Sequence, residues 1–186
     1  MIPPAAAYIG QYVTEPTEAA LIEHIDGMPW LGDLRRRVQH YGYRYDYRAR
    51  RVTRDSYLGP LPDWLDALAR QLAVEGKYPR PPDQVIVNEY LPGQGIAAHV
   101  DCEPCFGQVV ASLSLGSTCV MEFTDVRSGE MLTHPLERRS LLVLKDEARF
   151  TWKHGIPARR SDVIDGVATP RGRRVSLTFR TVVRGD

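Results

Sequence analysis

The chain has 186 residues, 43% of them apolar, and a formal net charge of +1. That length and apolar share suit one ordinary domain, read as residues 1–186, and the balanced charge excludes a uniformly basic or acidic protein while allowing local patches. No stretch approaches the roughly 20 apolar residues of a membrane span, and Met1 to Gly10, with Pro3 and Pro4, lacks a basic leader, so a cytoplasmic monomer with no membrane partner is expected.

A first helix is expected over Thr17–Met28. Thr17 and Glu18 follow Pro16, and Ala20, Leu21, Ile25 and Met28 recur at three- and four-residue spacings. Gln39–Thr53 reads as paired strands or a hairpin. From Arg35 to Arg54 there are eight arginines and one acid, Asp46, interleaved with Tyr41, Tyr43, Tyr45 and Tyr47. Such a stretch can neutralise phosphates and stack bases, or it can be a strand with inward tyrosines and solvated arginines. A second helix starts at Leu61-Pro62-Asp63-Trp64, carries Trp64, Leu65, Leu68 and Leu72 on its apolar face, and stops at Gly76.

Short strands separated by turns follow. The candidates are Gln84–Tyr90, Ala97–Val100, Gln108–Leu115, Thr118–Phe123, Gly129–Pro135, Ser140–Lys145, Phe150–His154, Asp162–Val167 and Arg174–Val183. Turn signals at Gly116-Ser117 and Ser128-Gly129 fit a sandwich or jelly roll, whose sheets open at a mouth. The expected fold class is α+β, with N-terminal helices flanking a jelly-roll core over about residues 84–183. The cysteines, Cys102, Cys105 and Cys119, are an odd set that implies no disulfide framework. Cys102-Glu103-Pro104-Cys105 lacks the second ligand pair a zinc site needs and the βαβ setting of a redox motif, so both are read as incidental thiols on a loop.

His-x-Asp occurs twice, and local structure separates the copies. His24-Ile25-Asp26 falls in the first helix, where residues two apart point about 200° apart and cannot share an ion. His99-Val100-Asp101 ends an extended segment after a glycine-rich turn, and extended chain puts positions i and i+2 on one side. Alone, the pair could be structural, with Asp101 accepting a turn hydrogen bond. His154 supplies a second imidazole, and two imidazoles plus one carboxylate can hold one face of Fe(II), leaving three positions for a chelating co-substrate and dioxygen. Arg174 and Arg180 lie on one strand with their side chains facing the same way. Arginines among Val175, Leu177 and Phe179 need a partner, either an anionic co-substrate or an internal acid.

With these residues in place, the chain resembles the AlkB family of Fe(II)/2-oxoglutarate dioxygenases. Asn88-Glu89-Tyr90, running on to His99-Val100-Asp101, is similar to the family's Asn-x-Tyr…His-x-Asp segment, and His154-Gly155-Ile156 to its distal ligand. Arg174 to Arg180 is similar to its Arg-x-Asn/Ser-x-Thr-Phe-Arg signature. Arg36-Arg37-Val38-Gln39-His40-Tyr41-Gly42-Tyr43, Ser112 to Ser117, Arg138 to Leu144 and Glu147-Ala148-Arg149 resemble most the oxygenase domain of the eukaryotic branch that hydroxylates a modified wobble uridine in tRNA.

The resemblance implies a double-stranded β-helix fold, a nucleotide lid with the N-terminal helices over about residues 14–80, and catalysis at Fe(II) bound by His99, Asp101 and His154. It implies 2-oxoglutarate as co-substrate, contacted by Asn88, Tyr90, Arg174, Ser176 and Arg180, with dioxygen as oxidant. A nucleic-acid partner, DNA or RNA and conceivably tRNA, is expected. Tyr43 and Tyr45 are expected against the base, Arg48, Arg50 and Arg51 near phosphates, and Glu103 at the base edge. Oxidation of a modified nucleobase, by demethylation of alkylated DNA or RNA or by hydroxylation of a tRNA uridine, is the leading expectation. The alternatives are a protein or small-molecule hydroxylase with the same iron site, and an RNA-binding jelly roll without turnover.

Overall fold

The computed structural model describes residues 1–32 and 34–183; Asp33 and residues 184–186 of the expected domain lie outside them. Two antiparallel sheets dominate. The larger runs in the order β1 (Ala6–Ile9), β8 (Leu141–Leu144), β5 (Phe106–Gly116), β12 (Arg174–Val182), β3 (Gln84–Tyr90) and β2 (Val38–Tyr41). The smaller runs β4 (Ile96–His99), β9 (Trp152–Ile156), β6 (Cys119–Asp125) and β7 (Met131–Leu136). A separate hairpin pairs β10 (Ser161–Ile164) with β11 (Val167–Pro170).

The alternation of β12 places both the core and the site. Val175, Leu177 and Phe179 face outward with Val85, Val87, Leu113, Leu115, Leu141 and Val143, and this apolar face is covered by the helices α1 (Glu15–Asp26) and α2 (Asp63–Val74) through Leu21, Ile25, Leu65, Leu68 and Leu72. Each such side chain, fully buried, contributes about 1.5–3 kcal/mol. The other face of the strand, Arg174, Ser176, Thr178 and Arg180, points between the sheets, as period two requires. Opposite it, Tyr90, Met121, Phe123, Leu136, Leu142 and Ile156 form a second apolar cluster.

The termini of α1 and α2 show why these segments stop where they do. Thr14 caps α1 by accepting from the Thr17 N–H, and Pro16 sits in its first turn. Gln39 on β2 donates to the Ile25 and Met28 carbonyls at the far end. In α2 the N–H groups of Gly76 and Lys77 bond the Ala73 and Leu72 carbonyls, with Gly76 at φ 71°, the left-handed conformation that glycine adopts freely.

Three expectations need correcting. Gln39–Thr53 does not form paired strands: regular pairing ends at Tyr41, and the rest is a loop held by single bridges, Tyr43 to Tyr57 and Asp46 to Arg51. Its many arginines stay solvated at alternate positions, so nothing pays for a second buried strand. Asp162–Val167 is a hairpin, because Asp165 and Gly166 both take positive φ and turn the chain. Cys102 and Cys105 are joined by a disulfide, since the turn after Asp101 brings their Cα atoms to 5.3 Å. The strand β1 and the short helix α3 (Asp146–Phe150) were not anticipated.

Candidate active site

His99 and His154 lie directly opposite each other on β4 and β9, and Asp101 follows on the same side of the extended chain. The strands approach closely because residue 155 is glycine: a Cβ there would stand 2.8 Å from the Ala98 nitrogen. The carboxylate Oδ1 of Asp101 lies 3.4 Å from His99 Nε2 and 3.3 Å from His154 Nε2. Cis donors on bonds of about 2.1 Å stand about 3 Å apart, so this spacing matches a shared ion. Asp101 Oδ1 is buried and accepts no hydrogen bond, an orphan acceptor facing two imidazoles.

The surroundings prepare these groups as ligands. His99 Nδ1 lies 2.8 Å from the Ala97 carbonyl, which fixes the proton there and leaves the Nε2 lone pair toward the carboxylate. Burial holds the His154 imidazole below its ordinary pKa against the pull of Asp101, so it is neutral at pH 7. Burial alone raises the Asp101 carboxyl, but Arg180 and both imidazoles outweigh it and hold it well below the carboxylate range. Arg180 Nε donates to Asp101 Oδ2 at 2.6 Å. Behind them, fully buried Arg149 donates to the carbonyls of Asp101, Cys102 and Gly107, clamping the backbone that carries the carboxylate.

Next to this triad lies a set of unused donors. Arg174 is buried and stacked over the Tyr90 ring at 5.3 Å; its Nη2 donates to Ser114 Oγ, while Nε and Nη1 have no partner. Arg180 Nη1 also has none. Arg36 Nε donates to Asn88 Oδ1 at 2.9 Å, which leaves the Asn88 amide nitrogen to donate into the cavity. Burial raises the Tyr90 phenol, so its hydroxyl keeps its proton. Ser176 lies between Asn88 and Ser114 across the strands. The internal-acid alternative for Arg174 therefore fails: among the described residues its guanidinium donates to the Ser114 hydroxyl and to no carboxylate.

These groups line one end of a cavity of about 370 Å³ between the sheets. Buried donors without acceptors at one wall and a buried acceptor beside two imidazoles at the other fit a chelating dianion and a divalent metal. The mouth is formed by Leu34, Arg36, Tyr45, Tyr47 and Arg50. Of the expected substrate residues Tyr45 and Arg50 line this cavity, and Arg51 does not. Tyr43 packs on Tyr57 and on the Cys102, Cys105 and Phe106 cluster, Arg48 is exposed on the loop closed by Asp46, and Glu103 is exposed on the turn after Asp101. Tyr47 and Arg36 were missed, although Tyr47 stands in the same alternation as Tyr45. The decoy pair serves structure: His24 stacks on Trp64 at 5.3 Å, and Asp26 pairs with Arg173 at 2.6 Å.

Comparison with known proteins agrees with this geometry. The family model described as the 2OG-Fe(II) oxygenase superfamily matches residues 23–180. The chain is 39% identical to "Uncharacterized protein L905" of Acanthamoeba polyphaga mimivirus, over 95% of this chain and 84% of that protein. It is 36% identical to "tRNA (carboxymethyluridine(34)-5-O)-methyltransferase ALKBH8" of Macaca fascicularis, over 97% of this chain but 31% of that protein. It therefore spans about a third of that relative's length. The solved structure of OsALKBH1 shares the fold, with a TM-score of 0.75 at 18% identity, over 97% of this chain and 98% of that one. Two imidazoles and a carboxylate stand beside arginine nitrogens that lack acceptors among the described residues, and with the family model matching most of its length the chain belongs to the 2OG-Fe(II) oxygenase superfamily, with AlkB homologues among its relatives.

Proposed function

We propose that this oxygenase acts on a modified nucleobase in an unpaired or flipped nucleotide, by oxidative demethylation or by hydroxylation of a tRNA uridine. The observation that carries the reading is the division of one cavity into two ends: orphan ligands and anion donors at the floor, and Tyr45, Tyr47, Arg36 and Arg50 at the mouth. Two tyrosine rings set edge to face, beside guanidinium groups, suit a base with its phosphate. The relatives named as tRNA (carboxymethyluridine(34)-5-O)-methyltransferases support an RNA substrate.

His99, Asp101 and His154 would hold Fe(II), and Arg174 the distal carboxylate of 2-oxoglutarate through one of the guanidinium nitrogens that has no acceptor among the described residues. When bound, the iron with 2-oxoglutarate and dioxygen supplies the oxidant that turns a substrate C–H into C–OH, while the co-substrate leaves as succinate and carbon dioxide. Arg180 keeps Asp101 ionised and oriented, and offers Nη1 to the near end of the co-substrate. Asn88, Tyr90 and Ser176 surround the same space with polar groups. Tyr45 and Tyr47 would seat the base and exclude water. On an N-methyl group the new hydroxyl gives a hemiaminal that releases formaldehyde; on a carbon side chain it persists.

Incubation with methylated single-stranded DNA, methylated RNA and total tRNA, followed by nucleoside mass spectrometry, tests this reading. A demethylated or hydroxylated nucleoside formed with stoichiometric succinate is the expected result. Succinate formation stimulated by a protein substrate and by none of the three nucleic acids would replace it with the protein-hydroxylase reading.

A further inference from the structure

The aromatic side of the mouth continues past the cavity. Residues 42–44 and 56–58 run antiparallel: the Arg44 N–H donates to the Ser56 carbonyl, the Leu58 N–H donates to the Gly42 carbonyl, and Tyr43 stands directly opposite Tyr57. Residues so opposed project to the same side. On that side Tyr43, with Tyr45 and Val52, packs on the buried cluster of Cys102, Cys105 and Phe106, and the Tyr57 ring lies 5.1 Å from the Tyr43 ring. Tyr45 in turn lies 5.6 Å from Phe106 and 5.0 Å from Tyr47, and Tyr45 and Tyr47 both line the cavity. A run of rings thus leads from the cavity to the surface, where it ends on an open face: Tyr57 is 54% exposed and its neighbour Leu58 55%. The same stretch is basic. Residues 47–58 carry Arg48, Arg50, Arg51 and Arg54 against one acid, Asp55, and all four arginines are exposed. The acid that precedes them, Asp46, is taken up by the Arg48 and Ala49 N–H groups. Arg54 opens the single helical turn whose carbonyl accepts from the Tyr57 N–H, so the outermost ring and an exposed guanidinium share one short element.

We infer that Tyr57, with Leu58 at its edge and Arg54 one turn before it, forms a second nucleotide subsite that takes the base next to the reacting one. The inference rests on the reading of the mouth as a nucleobase site. The occupant follows from continuity and charge: the patch extends the ring-lined mouth, and its exposed guanidinium groups call for a polyanion. Single-stranded nucleic acid supplies both partners, since every base has a face that stacks on an aromatic ring and every linkage carries a phosphate. The reacting base enters past Tyr45 and Tyr47, and the strand continues along the rings to Tyr57. The preferred substrate is therefore an unpaired stretch of at least two nucleotides rather than a free nucleoside.

The full chain is bound to a fluorescein-labelled oligouridylate, and unlabelled uridine monophosphate and the uridine trinucleotide are compared as competitors by fluorescence anisotropy. The trinucleotide is expected to compete better than the mononucleotide. Tyr57→Ala should cut that advantage about tenfold and leave competition by the mononucleotide unchanged, the scale of one lost base stack. Tyr57→Phe keeps the ring and should keep the advantage. Arg54→Gln should make the fall of log affinity with log salt shallower by about 0.7, the share of one single-strand phosphate. If Tyr57→Ala weakens both competitors equally, the ring serves only to hold Tyr43 and the mouth loop, and the subsite is overturned. An unchanged advantage in Tyr57→Ala, or none in the wild-type chain, overturns it as well. Binding and turnover are read separately. An advantage that ignores Tyr57 beside intact nucleoside oxidation refutes the subsite alone, an advantage that needs Tyr57 without nucleoside oxidation refutes the proposed reaction alone, and failure to bind any oligouridylate without nucleoside oxidation refutes both.

Discussion

The floor and the mouth of one cavity are built in opposite ways. Every group at the floor is mounted on or directly beside a paired strand: Arg174, Ser176 and Arg180 on β12 between β3 and β5, Asn88 and Tyr90 on β3, and the two histidines across β4 and β9. The mouth is a loop closed by single bridges and the Arg50 contact with the cysteine turn, and its arginines are mostly exposed. The contrast divides the labour. Chemistry that tolerates little displacement sits on rigid sheet, while recognition, which differs with the substrate, sits on a segment that can change without disturbing the core.

Replacing Arg174 by methionine should sharpen that contrast most. The half-saturating concentration of 2-oxoglutarate is expected to rise on the order of a hundredfold in a succinate assay, because a buried charge-assisted hydrogen bond is lost. The melting temperature should hold or rise, since two buried donors without partners are removed with the guanidinium. Arg149→Met strikes the support beneath the floor instead. Three backbone carbonyls lose a charged donor, and urea denaturation should show a loss of about 2–4 kcal/mol. At the mouth, Tyr45→Ala and Tyr47→Ala are each expected to raise the substrate KM about tenfold and leave the 2-oxoglutarate KM alone, the scale of one lost base stack. Arg48→Ala should have the smallest effect, about a twofold loss of nucleic-acid affinity with a shallower salt dependence, because Arg48 is solvated and outside the cavity. An equal fall in 2-oxoglutarate affinity from Tyr45→Ala and Arg174→Met would dissolve the distinction between floor and mouth.

The same division governs what could be read before the fold was known. Period-two alternation along Arg174 to Arg180 was legible because a buried strand has two chemically different faces, and it put both arginines on the site side. His99-Val100-Asp101 was separable from His24-Ile25-Asp26 because helix and strand geometry aim i and i+2 differently. The mouth was less legible. Alternation along Tyr43, Tyr45 and Tyr47 gave the side each ring takes but not which ring reaches the cavity, and that depends on the turn at Gly42, where φ is 75°. Arg36 and Arg149 act through partners more than fifty or forty residues away, Asn88 and the Asp101 carbonyl, which no local pattern reports. The hairpin at Asp165-Gly166 carries its signal in that Asp-Gly pair, both residues taking positive φ between the two short strands. The cysteine pair was discounted as a framework, yet a separation of three residues needs only a tight turn to close.

The most direct test of the central claim, that His99, Asp101 and His154 form the iron centre and Arg174 its co-substrate clamp, is an anaerobic titration of the protein with Fe(II) and 2-oxoglutarate, followed by visible absorption. The wild-type chain should develop a weak metal-to-ligand band that saturates at one equivalent of iron; His99→Ala should abolish it, and His24→Ala should leave it intact. A band that survives His99→Ala, or one absent from the wild-type chain, would contradict the account.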